Sequence, residues 1–319
     1  MRVATFAAPL SRDGPGLLLR DLNKGDDDSL NAIAAAIMQA APDVLVLTDF
    51  DYDLDGLALA AFAQMFDGRY PFMFARTPNS GFATGYDIDG NGRTGDARDA
   101  QGYGRFAGDG GLAILSRFPI ETGEVVDFSS LLWRDVPDAV LPQIDGQPFF
   151  KTGILDVLRL SSTAHWIVPI RLPDETKVSI MAFSATPPVF DGPEDMNGLR
   201  SRDELRLWEH VLDGRYGPPP DRFVVVGNSN LDPVNGDGDS AAMQAFLSRP
   251  DIRDPHKGIT NADWGDGGPG KLRVSYVLPS TNWQIVGAGT QSPASDAVTD
   301  GQGDAIAGPH SLVWVDIGR

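Results

Sequence analysis

The stretch that decides the fold is PDVLVLTDFD, residues 42–51. Its four aliphatic residues at 44–47 form a short apolar run, which is typical of a strand buried on both faces. A helix is predicted before it over 30–41, where Pro42 stops the helical pattern, and another after it over 57–66. With a first strand at 3–6, this β-α-β-α opening is typical of an α/β protein.

The rest of the chain continues the pattern with more strands than helices. Apolar runs predict strands at 112–115, 166–170, 178–183, 223–226, 272–278 and 311–317, and helices at 202–212 and 241–247. Many strands and few helices indicate two sheets packed face to face with helices outside. No linker or repeat divides the chain, so we expect a single domain over residues 1–319. A Gly- and Asp-rich loop at 79–111 is far longer than an ordinary connection, and such loops are commonly functional or ordered by a ligand.

Composition excludes several classes of function. The 26 Lys and Arg against 44 Asp and Glu give a net charge of −18, which disfavours binding of long nucleic acid. The chain has no Cys, which excludes disulfides, thiol nucleophiles and cysteine zinc sites. No apolar run is long enough for a transmembrane helix, and no signal peptide is visible at the start. Walker and dinucleotide-binding motifs are also absent, so no organic cofactor is expected.

Several segments carry a likeness to a known family. They are Phe6, residues 42–47 leading to 49–53, GGLAILSRFPI at 110–120, TPPVFDGPED at 186–195, GNSN at 227–230, LRVSYVLPS at 272–280, and His310. In this order they resemble the endonuclease/exonuclease/phosphatase superfamily, and in particular a bacterial, often exported branch of it. The resemblance implies a DNase I-like α/β (α+β) fold, a four-layer sandwich of two mixed sheets with helices outside and an active site at one edge. It also implies phosphoester hydrolysis with Mg²⁺ or Mn²⁺, and a periplasmic or secreted location.

Most of the catalytic and metal-binding positions that this resemblance assigns hold a different residue here. Ala7 stands where the family has Asn, Asp49 where it has a metal-binding Glu, Ala185 where it has His, Asn228 and Ser275 where it has Asp, and Pro309 where it has the Asp before the last His. Asn230 and His310 keep the family residue, and the resemblance implies that they donate hydrogen bonds to phosphate. Asp49 keeps a carboxylate, and it is the implied ligand of a divalent ion.

The replacements remove the groups that hydrolysis needs. The amide of Asn228 cannot take a proton from water, Ser275 and Pro309 remove two carboxylates, and Ala185 removes an imidazole. Loss of one such group costs on the order of 10²-fold in rate. We therefore predict a pseudoenzyme that has lost metal-dependent hydrolysis and acts, if at all, by binding an unknown protein or a small phosphoester through its cleft or loops.

Two alternatives stay open. The first is an active phosphomonoesterase or phosphodiesterase with a rewired site, in which a carboxylate such as Asp51, Asp232 or Asp304 enters the emptied position. At the single-residue level, Asn230 either orients a ligand or bonds its own turn, and His310 is either functional or structural. Packing is the expected role of His165. Asp51, Asp53 and Asp55 are expected to form a solvated acidic loop after the strand, unless one of them enters the site.

The second alternative is a calcium-ordered interaction domain. DIDGNG, residues 87–92, matches the first half of an EF-hand loop, with Asp87, Asp89 and Asn91 at the first, third and fifth positions. The twelfth position is Arg98 where an EF-hand needs Glu, so a true EF-hand is not expected. Asp96 or Asp99 would complete a looser Ca²⁺ site; otherwise the segment is a plain turn.

Overall fold

The computed structural model describes residues 1–293 and 307–318. Its five helices in that part of the chain are α1 Leu17–Lys24, α2 Asp28–Ala40, α3 Leu57–Gln64, α4 Met196–Leu212 and α5 Ser240–Leu247. Its strands are β1 Arg2–Phe6, β2 Val44–Phe50, β3 Phe72–Phe74, β4 Gly111–Ser116, β5 Val126–Asp127, β6 Gln143–Ile144, β7 Gln147–Pro148, β8 Ala164–Arg171, β9 Lys177–Ser184, β10 Phe223–Asn228, β11 Ala262–Asp263, β12 Lys271–Leu272, β13 Ser275–Pro279, β14 Gln284–Gln291 and β15 Leu312–Gly318.

Two mixed sheets form the centre of the molecule. The first has six strands in the order β14-β15-β1-β2-β4-β3, and the second has five in the order β13-β10-β9-β8-β5. Each sheet contains one parallel pair, β1 with β2 and β9 with β10, and its other pairs are antiparallel. The pairs β6–β7 and β11–β12 are separate short hairpins.

Three apolar layers hold the sandwich together. The middle layer lies between the sheets and contains fully buried side chains such as Val46, Trp166 and Val226. A second layer packs helices α1–α3 on the outer face of the first sheet, around Ile33 and Phe62. The third packs α4 and α5 on the outer face of the second sheet. Because each sheet has one face toward the other and one toward helices, the four-layer α/β sandwich predicted from the sequence is confirmed.

The structure adds elements that the sequence did not predict. Helix α1 is short and buries only Leu18 fully, so its apolar pattern is weak. Strand β14 is partly exposed and contains two glycines, and pairing with β15 holds it extended. The single strand predicted at 272–278 is two strands, β12 and β13, because the chain changes partner between them. Within the described residues, no helix is both long and apolar enough to cross a membrane.

Candidate functional site

The family-like residues of the second sheet meet at the ends of β10 and β13. Asn228, the last residue of β10, is the Cα partner of Ser275, the first residue of β13. Both side chains are buried, at 7% and 1% exposure. The Ser275 hydroxyl has no hydrogen-bond partner among the described residues. The sheet therefore ends in two neutral polar side chains, one of them unsatisfied, and buried groups of this kind are uncommon.

His310 joins this edge through Asn261. The side-chain amide nitrogen of Asn261 donates to the Ser275 carbonyl at 2.7 Å, and the backbone carbonyl of Asn261 accepts from Ser311 N at 2.8 Å. Residues Ala262 and His310 form an isolated bridge, and the His310 ring packs edge-on against Trp264. Burial lowers the pKa of His310 to about 4, so the ring is neutral at pH 7, and its Nδ1 has no partner.

Asn230 lies two residues beyond β10 in a left-handed conformation, with φ 56°. Its side-chain amide donates to the Ala185 carbonyl at 2.8 Å, and its backbone N–H donates to Asn228 Oδ1 at 3.3 Å. Ala185 in turn donates its N–H to the Asn228 carbonyl at 2.9 Å. Asn230, Ala185 and Asn228 are thus bonded to one another, as the sequence order of the motifs suggests.

Two sequence positions of the first sheet lie at the other side of this edge. Ala7 follows β1 and is buried. A Cβ on Gly308 would lie 3.2 Å from Pro9, so the segment before His310 runs against the chain that follows Ala7. The Pro309 carbonyl accepts from Asp263 N at 3.0 Å. Positions 309 and 310 therefore lie between the chain that follows β1 and the β11–β12 hairpin, and positions 7, 309 and 310 supply no carboxylate.

A cluster of three carboxylates lies where β2 ends. Asp51 is 4% exposed and accepts from Arg12 N at 2.9 Å and Gly110 N at 3.1 Å. Asp49 accepts from the Ser11 hydroxyl. A Cβ on Gly110 would lie 2.6 Å from Asp49 Oδ1, so only glycine leaves room for that carboxylate.

Burial and mutual repulsion weaken the acidity of Asp49 and Asp51. Desolvation raises the pKa of Asp49 to about 6, and the charge of Asp109 adds to the increase. Desolvation also raises the pKa of Asp51 to about 7, with further contributions from Asp109 and Asp49. Part of this cluster is therefore protonated near neutral pH.

Asp109 belongs to this cluster, and the sequence analysis missed it. Its carboxylate accepts from Arg105 N at 2.8 Å, in the turn that precedes β4. A signal was present, because GDGG at 108–111 marks a tight turn just before a buried strand. The path of the long loop, and no local sequence pattern, places this turn beside Asp49.

The long loop also forms the second candidate site. Oxygens of Asp87, Asp89 and Asp99 lie within 4.8 Å of one another, and we call these three residues the loop triad. Asp99 is 2% exposed and accepts from Ile88 N at 2.8 Å and from Gly95 N at 2.8 Å. One oxygen of Asp87 is buried without a partner, while the other accepts from Lys151 Nζ at 2.8 Å.

Asn91 and Asp96 stand beside the loop triad. The Asn91 amide nitrogen donates to Asp89 at 3.1 Å and to Asp96 at 2.9 Å. The structure thus brings Asp87, Asp89 and Asp99 together. Asn91 lies next to them and contacts Asp89 through its side-chain nitrogen. A cavity of about 200 Å³ adjoins Asp96 and Asp99 and is lined mainly by small residues of the same loop.

His165 lies away from both sites. The ring is fully buried between Phe183 and Trp208, and it bonds Ser161 Oγ at 2.8 Å and the Glu204 carbonyl at 3.0 Å. Burial lowers the pKa of His165 to about 3. A neutral ring with both nitrogens bonded is part of the packing of α4 on the second sheet.

A family model described as "Endonuclease/Exonuclease/phosphatase family" matches residues 20–300. No curated protein matches the sequence.

Solved structures share the fold at low sequence identity. An endonuclease/exonuclease/phosphatase from Beutenbergia cavernae is 18% identical with a TM-score of 0.60, over 99% of this chain and 71% of that one. Sphingomyelinase C from Streptomyces griseocarneus is 17% identical with a TM-score of 0.55, over 100% and 99%. An endonuclease/exonuclease/phosphatase from Bacteroides vulgatus is 11% identical with a TM-score of 0.56, over 99% and 98%.

Proposed function

The chain belongs to the endonuclease/exonuclease/phosphatase family, and from that premise we propose that it has lost metal-dependent phosphoester hydrolysis and acts by binding through its cleft or loops. The partner would be a protein or a small phosphoester. A periplasmic or secreted location, as in the branch that the sequence resembles, is part of the same proposal.

The observation that carries the proposal is the pair Asn228 and Ser275. The resemblance assigns a carboxylate to each position, and the two residues are register partners at the edge of the second sheet. An amide and a hydroxyl cannot accept a proton from water at neutral pH, and they bring no charge to a metal ion. His310, with its pKa of about 4, is neutral as well and adds no cation for a phosphate.

The test is hydrolysis of a generic phosphodiester and phosphomonoester with Mg²⁺, Mn²⁺ or Ca²⁺. We expect no metal-stimulated turnover in the native chain. The triple variant Ala185→His, Asn228→Asp, Ser275→Asp is expected to gain partial activity, because it returns an imidazole and two carboxylates to one edge. Metal-dependent activity in the native chain that Asp49→Ala abolishes would overturn the proposal.

A second candidate function is an active phosphohydrolase with a rebuilt site. The observation in its favour is the convergence of Asp49, Asp51 and Asp109 around Gly110. Mg²⁺ is held in proteins by one or two carboxylates, so Asp49, the ligand that the resemblance implies, meets the minimum for such an ion. Asp51, whose pKa is about 7, would then serve as the general base near neutral pH.

The variant Asp51→Asn separates the two candidates. In a rebuilt hydrolase it should lower the rate by on the order of 10²-fold or more. The matched control is Asp53→Asn, because Asp53 caps α3 through the N–H groups of Leu57 and Ala58 and lies outside the cluster. If the native chain shows no turnover, that result supports the first candidate, the chain that has lost hydrolysis.

The loop triad supports a third, independent proposal, a divalent ion such as Ca²⁺ that orders the long loop. Ca²⁺ prefers several carboxylate oxygens, and the triad offers three carboxylates, one with an unpartnered buried oxygen. Thermal unfolding with Ca²⁺ and with a chelator tests it. We expect a higher Tm with Ca²⁺ in the native chain and no difference in Asp89→Asn.

A further inference from the structure

Phe190 occupies a position that is unfavourable for a bulky apolar side chain, both in its backbone conformation and in its exposure to solvent. Its backbone has φ 71°, in the left-handed region that disfavours residues with a Cβ, and 76% of the side chain is exposed to solvent. Backbone strain of this kind costs on the order of 1–3 kcal/mol and concentrates at functional positions. Phe190 lies in the segment 186–195, between β9 and α4.

Val234 provides a second exposed apolar side chain close by. It is also 76% exposed and lies in the segment 231–239, between β10 and α5. The two segments are in contact, since a Cβ on Gly238 would lie 3.0 Å from Pro188 Cγ. Both segments leave the strand ends that hold Ala185 and Asn228, so they border the candidate site. We call them together the acidic rim.

The acidic rim has an excess of negative charge. The two segments contain Asp191, Glu194, Asp195, Asp232, Asp237 and Asp239, and neither contains Lys or Arg. The carboxylates of the rim repel one another: desolvation, and after it the charges of Asp191, Glu194 and Asp239, raise the pKa of Asp195. Arg202 approaches Asp239 only at 3.9 Å and is also shared with Asp203 at 3.6 Å.

We propose that the acidic rim, with Phe190 and Val234 as its apolar contacts, docks a basic polypeptide segment that carries apolar side chains. Complementary charge brings such a segment to the rim, and protruding apolar side chains provide the buried contacts that make binding specific. The proposal rests on the proposed function, because it names a partner for a chain that binds rather than hydrolyses.

Charge decides between this partner and a lipid surface. Anionic membranes attract clusters of Lys and Arg, and the rim has the opposite sign. A neutral lipid surface would use the apolar contacts and leave exposed carboxylates of the rim, such as Asp195 and Asp237, beside it without a counter-charge. A basic polypeptide satisfies both features of the rim.

The experiment measures fluorescence anisotropy of a short labelled amphipathic peptide of leucine and lysine added to the full chain. The comparisons are the same composition in scrambled order, the same peptide with glutamate in place of lysine, and phosphatidylcholine vesicles. We expect saturable binding of the first peptide alone. Phe190→Gly should weaken it by about tenfold, since aromatic contacts dominate binding energies, and Val234→Ser by a smaller factor.

Matched controls keep the test specific. Val286→Ser removes an equally exposed valine, 69% accessible, from β14 in the other sheet and should leave the affinity unchanged. Glu194→Gln with Asp237→Asn should weaken binding, and Asp145→Asn, in an exposed hairpin, should not. Phe190→Gly introduces no backbone strain that could cause misfolding, because glycine is the preferred residue at φ 71°.

Equal affinity in the native chain, Phe190→Gly and Val234→Ser would overturn the docking proposal, and so would binding to the vesicles in place of the peptide. Phosphoester hydrolysis is assayed on the same preparations. Hydrolysis by the native chain refutes the loss of activity and leaves the docking result standing. Absence of both hydrolysis and peptide binding refutes the docking surface alone.

Discussion

Asn228 and Ser275 are Cα partners across β10 and β13, so any group placed on one side chain is next to the other. Two carboxylates at these positions would repel each other in a buried environment unless a cation lay between them. Two aspartates introduced at these positions therefore test whether this edge retains the geometry of a metal site.

We predict that the double variant Asn228→Asp, Ser275→Asp is less stable than the native chain at pH 8 by roughly 2–4 kcal/mol. Mg²⁺ should recover much of that loss, because it binds the folded state alone. Denaturant unfolding with and without Mg²⁺ measures both effects. The single variant Ser275→Asp serves as the control, and an absence of any Mg²⁺ response in the double variant would contradict the geometry inferred for this edge.

A second prediction concerns Asp49 and pH. Its folded pKa of about 6 lies above the ordinary value of 3.8, so the folded state binds more protons than the unfolded state between these values. The stability contributed by protonated Asp49 is therefore complete below pH 4 and is lost as the pH rises through 6. Asp49→Asn should be more stable than the native chain by up to about 3 kcal/mol at pH 8 and show no gain at pH 4.

Urea unfolding at the two pH values checks this difference. Glu204, whose pKa is also raised to about 7, shifts native stability in the same direction and is unchanged in the variant. The charge of Asp49 contributes to the raised pKa of Asp51, so the comparison measures Asp49 together with its coupling to Asp51. An equal gain at pH 4 and pH 8 would show that burial does not hold the Asp49 proton.

A third prediction concerns the glycines of the long loop. Gly81 has φ 70°, and a Cβ there would lie 1.7 Å from the Phe106 carbonyl oxygen. Gly85 has φ 80° with no atom within 4 Å of the same position. Both Ala variants carry the backbone cost of about 1 kcal/mol, but Gly81→Ala also displaces the Phe106 backbone.

We therefore expect Gly81→Ala to lose about 3 kcal/mol or more and Gly85→Ala about 1 kcal/mol, measured by thermal unfolding. Since the two positions share their conformation, the difference between the variants measures the contact with Phe106. Equal losses would mean that the loop relaxes around a side chain at position 81.

A fourth prediction concerns Phe190. Glycine at φ 71° removes the cost of a Cβ, and little packing is lost because the ring is mostly exposed. Phe190→Gly should therefore be as stable as the native chain or up to about 1 kcal/mol more stable. Val189→Gly, at a neighbouring position without positive φ, should be less stable, and a destabilised Phe190→Gly would mean that the ring packs on the rim.

The central strands were predictable from the sequence because the local preference of their residues for a strand agrees with their buried position in the fold. The aliphatic run before Asp49 can only be buried between layers, and β2 lies in the middle of the first sheet. Strand β14 was not predicted because its sequence QIVGAGTQ carries no strict alternation, and its extended state depends on a partner more than twenty residues later.

The candidate site was predictable where it follows strand ends and unpredictable where it depends on the long loop. Asn228, Asn230 and His310 each follow or precede a strand, so the topology brings them together. Asp109 reaches Asp51 only because the loop returns over some sixty residues of sequence to place Gly110 N against that carboxylate. No local pattern specifies such a return path.

The loop triad and Asp109 lie on the same length of backbone, the long loop. Gly81 N donates to the Gly102 carbonyl, and Gly108 N donates to the Ser80 carbonyl, so the loop is tied at its base between the loop triad and Asp109. An ion held at the triad and a ligand held at the cleft would therefore share the free energy of ordering this segment. If both occupants order the loop, each would tighten the other by the same factor, and the loop would act as a coupling element between the two sites.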